Sequence, residues 1–343
     1  MKILLGMSGG VDSAYAAYHL REDGHDVEGA VLVMHSHTDI RAAEEAAAGI
    51  GIPLHIIDCS ELFESKVVEN FISEYLAGRT PNPCIVCNAE VKMRVLYDYA
   101  ISHGFDAIAT GHYARIAERA GEYGIKHTVS RAKDRRKDQS YMLYRLSEDI
   151  LSHLLLPLSD KEKVDIKNEA SNLGITAADR GESQEICFIP DNDHAAFIEA
   201  RTAPSPHGHY INMEGKILGE HSGIIRYTVG QRKGLGIAMG KRVFVTEINA
   251  ENNTVTLSEE DKVGDRFSIR DMVFPGISEP KINEKLSLQV KVRYLAPPVS
   301  CTVEYLGGGR AEVKLDLPHR AITPGQSAVF YENDDVLAGG FIV

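Results

Sequence analysis

The first thirteen residues constrain this chain more than any other feature. The apolar run Lys2-Ile3-Leu4-Leu5-Gly6-Met7 opens directly into Ser8-Gly9-Gly10-Val11-Asp12-Ser13, and Ala14 to Leu20 continues as a helix that stops by Gly24. A buried strand that feeds a Gly-Gly loop and then a helix begins an α/β unit. The two glycines let the backbone take positive φ and approach a ligand closely, while Ser8 and Ser13 add hydroxyl donors around the same point. The helix would aim its first N–H groups and its dipole at an anion held there. The loop has no Lys, so it is not a Walker A loop. A Gly-Gly loop alone also serves as an ordinary strand-to-helix turn.

The alternation continues. Residues 27–34 read as a second buried strand, 39–49 as an Ala-rich helix and 53–57 as a third strand. Residues 61–76 and 88–103 read as amphipathic helices, the second capped by Asn88 and stopped by Gly104, and 105–110 as a further strand. This spacing predicts a doubly wound parallel sheet, with ligands outside the carboxyl ends of the strands, where Gly111-His112 lies. Beyond residue 200, Pro204, Pro206, Gly208, Gly215, Gly219 and Gly223 break up short strands, and helical periodicity disappears. Two all-β stretches follow, for which small barrels are the natural closed form. The expected fold class is therefore α/β with two small all-β domains appended. The expected domains are 1–200, 204–262 and 266–343.

At 343 residues the chain exceeds the size at which one core keeps growing. It shows neither a membrane-length apolar run nor a signal peptide, which predicts a cytoplasmic protein with no membrane partner. A net charge of −12 argues against a generic nucleic-acid coat, although a local basic patch can still grip phosphate. The five cysteines do not suggest a disulfide framework. Cys59 and Cys301 read as small hydrophobes in strands. Cys84 and Cys87, in Thr80-Pro-Asn-Pro-Cys-Ile-Val-Cys-Asn88, stand three apart before the expected helix, whose dipole should lower the pKa of Cys87 toward neutrality. A capping turn or half of a zinc site are the other readings of that pair. Cys187 beside Phe188 reads on its own as a buried thiol.

The string Ser8-Gly-Gly-Val-Asp-Ser13 resembles the pyrophosphate loop of the ATP-pyrophosphatase superfamily, which cleaves ATP between its α and β phosphates. That resemblance implies ATP and a Mg²⁺ ion near Asp12. Together with Gly78-Arg-Thr-Pro-Asn-Pro-Cys-Ile-Val-Cys-Asn88, Ala109-Thr-Gly-His-Tyr-Ala-Arg115, Lys137-Asp-Gln-Ser-Tyr141, Ser183-Gln-Glu-Ile-Cys-Phe188, Tyr227-Thr-Val-Gly-Gln-Arg-Lys-Gly-Leu-Gly236 and Thr323-Pro-Gly-Gln326, it makes the whole chain resemble the tRNA-specific 2-thiouridylase family. The resemblance implies adenylation of the wobble uridine C2 oxygen, then sulfur transfer from a persulfide on Cys187. Cys87 would release the sulfur and end in a Cys87–Cys187 disulfide.

By the same resemblance Gly6, Met7, Ser8, Gly9, Gly10, Val11, Asp12, Ser13, Met34 and Gly111 would contact ATP. His112, Lys137, Asp138, Gln139, Arg293, Tyr294 and Gln326 would touch tRNA, with Asn82, Pro83 and Cys84 around the target base. The implied partners are tRNAs for lysine, glutamate and glutamine and a sulfur-donor protein. Arg131, Lys133, Arg135, Arg136 and Lys137 form a basic stretch suited to a phosphate backbone.

One departure stands out: many members of that family carry Asp where this chain has Cys84. Cys84, Cys87 and Cys187 together could instead hold an iron–sulfur cluster. Two other classes fit the loop alone, an ammonia-dependent amide ligase and a non-catalytic RNA-binding protein. The ligase has no use for the thiols, and the intact Asp12 and Ser13 speak against the binding protein.

Overall fold

A computed structural model describes residues 1–121, 124–175, 186–320 and 322–343. Its first sheet contains β1 (Lys2–Gly6), β2 (Asp26–Val33), β3 (Leu54–Asp58), β4 (Ala107–Thr110) and β7 (Leu154–Leu155), all parallel, in the order β3-β2-β1-β4-β7. The central strand is buried on both faces, and its side chains alternate between two cores. Ile3 and Leu5 pack with Tyr15, Ala16 and Leu20 of helix α1 (Val11–Glu22) and Ala43 and Ala47 of α2 (Ile40–Ile50). Leu4 points the other way, into the cluster of Met93, Leu96 and Ala100. Helices therefore cover both faces, as a doubly wound sheet requires. Alanine along α1 and α2 lets both helices sit close to the strands.

Between β4 and β7 lies a hairpin absent from the sequence reading. Strands β5 (Ala114–Gly121) and β6 (Gly124–Arg131) pair antiparallel, Ala114 opposite Arg131. The middle unit is a four-stranded sheet of β8 (Gly208–Ile211), β9 (Ile217–His221), β10 (Phe244–Asn249) and β11 (Thr254–Ser258), in the order β10-β11-β8-β9. Among the described residues its edges do not pair, so the expected closed barrel is here an open sheet over Tyr210, Val245, Val255 and Leu257.

The last unit does close. Strands β12 (Val263–Val273), β13 (Lys285–Lys291), β14 (Val299–Gly307), β15 (Arg310–Arg320), β16 (Ser327–Glu332) and β17 (Asp335–Ile342) run in the order β12-β15-β14-β13-β16-β17, and β12 pairs with β17 to complete a six-stranded barrel. A single bridge, Asp335 opposite Ser130, joins that barrel to the hairpin. No described helix is long and apolar enough to cross a membrane.

The barrel is bolted onto the first unit rather than tethered to it. Val329, Tyr331 and Val336 share one core with Leu4, Tyr141 and Tyr144. The Tyr141 hydroxyl donates to the Ser327 carbonyl at 2.9 Å, and Tyr144 lies 3.0 Å from the Ser327 hydroxyl. Gly339 has no side chain because a Cβ there would meet the Tyr144 ring at 2.5 Å. At the far edge the buried Glu74 accepts from Arg79 at 2.6 and 2.9 Å and from Arg270 of β12 at 2.9 Å. Burial opposes its ionisation, but the two guanidinium groups outweigh it and hold the carboxyl below its ordinary range.

A group whose folded pKa is depressed stabilises the fold fully above the unfolded value, about 4.3, and loses that contribution as pH falls through the folded value. Glu74→Gln should therefore cost about 2 kcal/mol at neutral pH, by taking the carboxylate from Arg79 and leaving Arg270 with Asp271 alone, 2.6 Å away. Urea unfolding at neutral pH and in acid tests this, since the gap between parent and variant should narrow in acid. Equal stabilities at neutral pH would remove the triad from the account.

Candidate active site

The loop after β1 is shaped by one close approach. Gly9 takes φ +74°, and a Cβ there would come within 2.5 Å of the Ala42 Cβ on α2. Only glycine satisfies both demands. Gly10, expected to share that conformation, is instead extended (φ −89°, ψ 162°), because it is the N-cap of α1. Its N–H reaches Ser8 Oγ at 3.4 Å, and Ser13 Oγ donates back to the Gly10 carbonyl at 3.0 Å. Ser8 and Ser13 hydroxyls lie 3.3 Å apart, so the loop is a small closed ring. No side chain caps α1, which leaves its first N–H groups for an anion.

Gly111, at the end of β4, lies directly over this turn: a Cβ would sit 3.0 Å from the carbonyl carbon of Asp12 and the nitrogen of Ser13. Gly6 closes β1, Met7 donates its N–H to the Ala30 carbonyl at 2.8 Å, and Val11 packs on the α1 face of the sheet. The sequence-predicted nucleotide residues from Gly6 to Ser13 and Gly111 thus converge.

Asp12 has partners the sequence reading missed. Lys163, the first residue of the helix Lys163–Asn172, places its ammonium 2.6 and 2.5 Å from the two carboxylate oxygens, and the Tyr113 hydroxyl donates at 2.7 Å. Lys163 is buried. It lies in a polar stretch with Lys161 and Lys167, where nothing local marks it out.

The thiol helix begins earlier than expected. Asn82 is its N-cap, accepting from the Cys84 N–H at 3.2 Å, with Pro83 at the first helical position. That pairing outcompetes Asn88 as a start signal. Asn88 is buried inside the helix and donates to the Met142 carbonyl at 3.2 Å. The helix spans 83–102 and passes through a π-helical stretch, Cys87–Lys92. Cys87 is therefore interior and buried, and desolvation pushes its thiol up to about 12. The expected lowering by the helix dipole is reversed, since Cys87 lies one turn inside the helix rather than at its N-terminus.

Cys84 and Cys187 are exposed residues, yet desolvation at the sulfur raises both thiols as well. The three thiols sit within electrostatic range of one another. Among the described residues no three His, Cys, Asp or Glu side chains converge closely enough to hold a metal ion. The trio as placed does not fit a cluster cradle.

Met34 joins the two halves of the site. Lying just past β2, it receives the Cys87 thiol on its Sδ at 3.7 Å. Lys92 is a second residue the sequence reading missed, and its charge bears on Cys84, Cys87, Cys187 and His112 alike. His112 bonds Thr110 Oγ1 through Nδ1 at 2.9 Å, and burial, aided by Lys92, drives its pKa down to about 3, so it is neutral. Cys59 follows β3, donating to the Val33 carbonyl at 3.6 Å, and Cys301 is buried within β14.

The remaining expected tRNA residues divide into two groups. Asp138 is buried and accepts from the Ala132 and Ser140 N–H groups at 3.2 Å, while Gln139 accepts from the Tyr113 N–H at 2.9 Å. Asp138 closes the turn that carries Lys137, and Gln139 ties that turn to the Tyr113 backbone. Arg293 donates to the Val229 carbonyl at 3.3 Å and to Thr323, tying barrel to middle sheet. Gln326 donates to the Thr80 carbonyl at 2.7 Å, and the Thr80 N–H returns to the Pro324 carbonyl at 2.8 Å. Tyr294 lies 6.2 Å from the Tyr141 ring. The barrel thus braces the segment leading into Asn82, Pro83 and Cys84. In the basic stretch, Arg135 pairs with Asp334 at 2.7 Å and Arg136 with Asp134 at 3.4 Å, so part of its charge is already answered.

Three family models match consecutive stretches: a tRNA methyl transferase HUP domain over 1–191, a tRNA methyl transferase PRC-barrel domain over 195–259, and an aminomethyltransferase beta-barrel domain over 265–342. The chain is 42% identical over 359 residues to the tRNA-specific 2-thiouridylase MnmA of Clostridium acetobutylicum, covering 99% of each chain. It is 41% identical over 358 residues to that of Clostridioides difficile, covering 99% of this chain and 98% of the relative. The chain belongs to the tRNA-specific 2-thiouridylase family. Among solved structures it is similar to a 4-thiouridine synthetase in complex with RNA and ATP, at 19% identity and a TM-score of 0.36, over 58% of this chain and 49% of that one.

Family membership makes the accessibility of the thiols a direct question. At neutral pH, iodoacetamide should label Cys84 and Cys187 and spare Cys87, Cys59 and Cys301 until the protein is unfolded, because the last three are buried. Peptide mass spectrometry reads the order. Labelling of Cys87 as fast as Cys187 would contradict the placement.

Proposed function

We propose that this chain is a tRNA uridine 2-sulfurtransferase that activates the wobble uridine with ATP and replaces its C2 oxygen by sulfur. The observation that carries this reading is the contact between Met34 and Cys87, which sets a thiol against the residue expected to touch ATP. An amide ligase built on the same loop has no use for that contact.

In the first step the uridine C2 oxygen attacks the α-phosphorus of ATP and the bond to pyrophosphate breaks. The Ser8–Ser13 ring and the uncapped N-terminus of α1 receive the charge of the departing pyrophosphate. Lys163 and Tyr113 hold Asp12 in place from below. Asp12 is the one carboxylate in the loop, and it would serve as a protein ligand of a Mg²⁺ ion that arrives with the nucleotide and neutralises its phosphates. In the second step a persulfide on Cys187 attacks C2 through its terminal sulfur, and AMP leaves with the oxygen. The Cys87 thiolate then attacks Cys187 Sγ, the S–S bond to the base breaks, and 2-thiouridine is left beside a Cys87–Cys187 disulfide. An external dithiol must reduce that disulfide, and a sulfur-donor protein must reload Cys187.

The substrates in this reading are the tRNAs for lysine, glutamate and glutamine, thiolated in the cytoplasm. Anticodon bases already lie in a loop, so presenting one costs only a few kcal/mol. No step is routed through an iron–sulfur cluster, because Cys84, Cys87 and Cys187 do not converge as ligands.

Cys87→Ser and Cys187→Ser should keep tRNA-dependent ATP–pyrophosphate exchange while losing 2-thiouridine, and Cys84→Ser should keep both. Lys163→Met should instead slow the exchange by about 10²-fold or more, as loss of a charge-positioning group does. Exchange assays paired with nucleoside mass spectrometry separate the two halves. Loss of thiolation in Cys84→Ser, with stoichiometric iron in anaerobically purified parent protein, would overturn the persulfide chemistry.

A further inference from the structure

We infer that the π-helical turn Cys87–Lys92 exists to bring the Lys92 ammonium onto the thiol face of its helix, as the cation that holds the anionic sulfur during transfer. The inference rests on the sulfurtransferase reading above and adds a residue to it.

In a regular α-helix, a residue five positions on is rotated by about 140° about the axis, so Lys92 would face away from Cys87. This helix departs from that geometry over Cys87–Lys92: the Met93 N–H bonds the Asn88 carbonyl five residues back. A turn closed by i→i+5 bonds carries one extra residue, which stacks the sixth residue above the first. Lys92 is thereby returned to the side of Cys87, with Cys84 one turn below. A second π segment, Glu64–Val68, packs against it from the neighbouring helix.

The surroundings agree with the placement. The charge of Lys92 favours the anionic form at each of the three thiols, which burial otherwise opposes. His112, whose pKa burial and the charge of Lys92 both lower, is neutral, so it does not supply the charge. Among the described residues no carboxylate is paired with Lys92. Transfer passes through two sulfur anions, the terminal sulfur on Cys187 and the thiolate of the buried Cys87, and burial opposes the negative charge at both thiols. An ammonium on the same face supplies the missing stabilisation. Lys92 forms no bond and gives up no proton in this scheme.

The test uses full-length Lys92→Met and Lys92→Arg with unmodified tRNA and persulfide-loaded protein. Lys92→Met should retain tRNA-dependent ATP–pyrophosphate exchange and the mass of the Cys187 persulfide, while single-turnover formation of 2-thiouridine slows by about 100-fold. Lys92→Arg, which keeps the charge, should recover most of that loss. Parental transfer in Lys92→Met overturns the inference and leaves the function standing. A parallel loss of exchange and transfer also overturns it, by assigning Lys92 to tRNA binding or to structure. Failure of the parent protein in both assays would refute the sulfurtransferase reading itself.

Discussion

The site hangs from the end of β1, where the chain must turn within a van der Waals contact of α2. Gly9 meets that demand and Ala42 makes room for it, and the ring of hydrogen bonds from Ser8 to Ser13 follows. Because β1 is central and buried on both faces, the loop cannot drift relative to the sheet. Gly111 at the tip of β4 presses on Asp12 and Ser13 from the next strand, so two adjacent carboxyl ends define one cradle. Asp12 is then fixed by Tyr113 and Lys163, which tie the loop to the strand-and-helix layer around it.

The sulfur half of the site answers a different constraint. A nucleophilic sulfur works best as an anion, and a site that excludes water from an activated base makes anions costly. Burial of Cys87 keeps the resting thiol protonated and unreactive. The compensating positive charge comes from within the same helix, through a turn that departs from α geometry. The barrel braces this arrangement from outside: Gln326 and Pro324 fasten Thr80, two residues before the Asn82 cap, while Arg293 reaches the middle sheet. Residues expected to meet RNA therefore also align the segment that carries the thiols.

Much of this was legible in the sequence where the signal is local. A strand, a Gly-Gly loop and a helix follow one another within Lys2–Glu22, and each is dictated by its own residues. Start signals that compete were not legible: Asn82-Pro83 and Asn88 both announce a helix, and only packing shows that Asn88 is interior. With the helix starting at Pro83, Cys87 lies past its N-terminal turn, and burial rather than the dipole sets its thiol. Long-range partners carried no local sign. Lys163 meets Asp12 across the sheet from a helix far along the chain, and the hairpin β5–β6 is half-exposed, with Arg115, Glu118 and Arg119 breaking any clean alternation in its first strand, so it looks like loop until the barrel docks on it. Lys92 was hidden because ordinary helical spacing puts it on the wrong face.

The central claim is that the oxygen replaced by sulfur leaves as part of AMP. A tRNA carrying ¹⁸O at C2 of the wobble uridine tests it in a single turnover. Adenylation at C2 puts one ¹⁸O atom in the AMP for each 2-thiouridine formed, read by mass spectrometry of both products. Thiolated tRNA accompanied by unlabelled AMP would show that the C2 oxygen is never adenylated and would contradict the account.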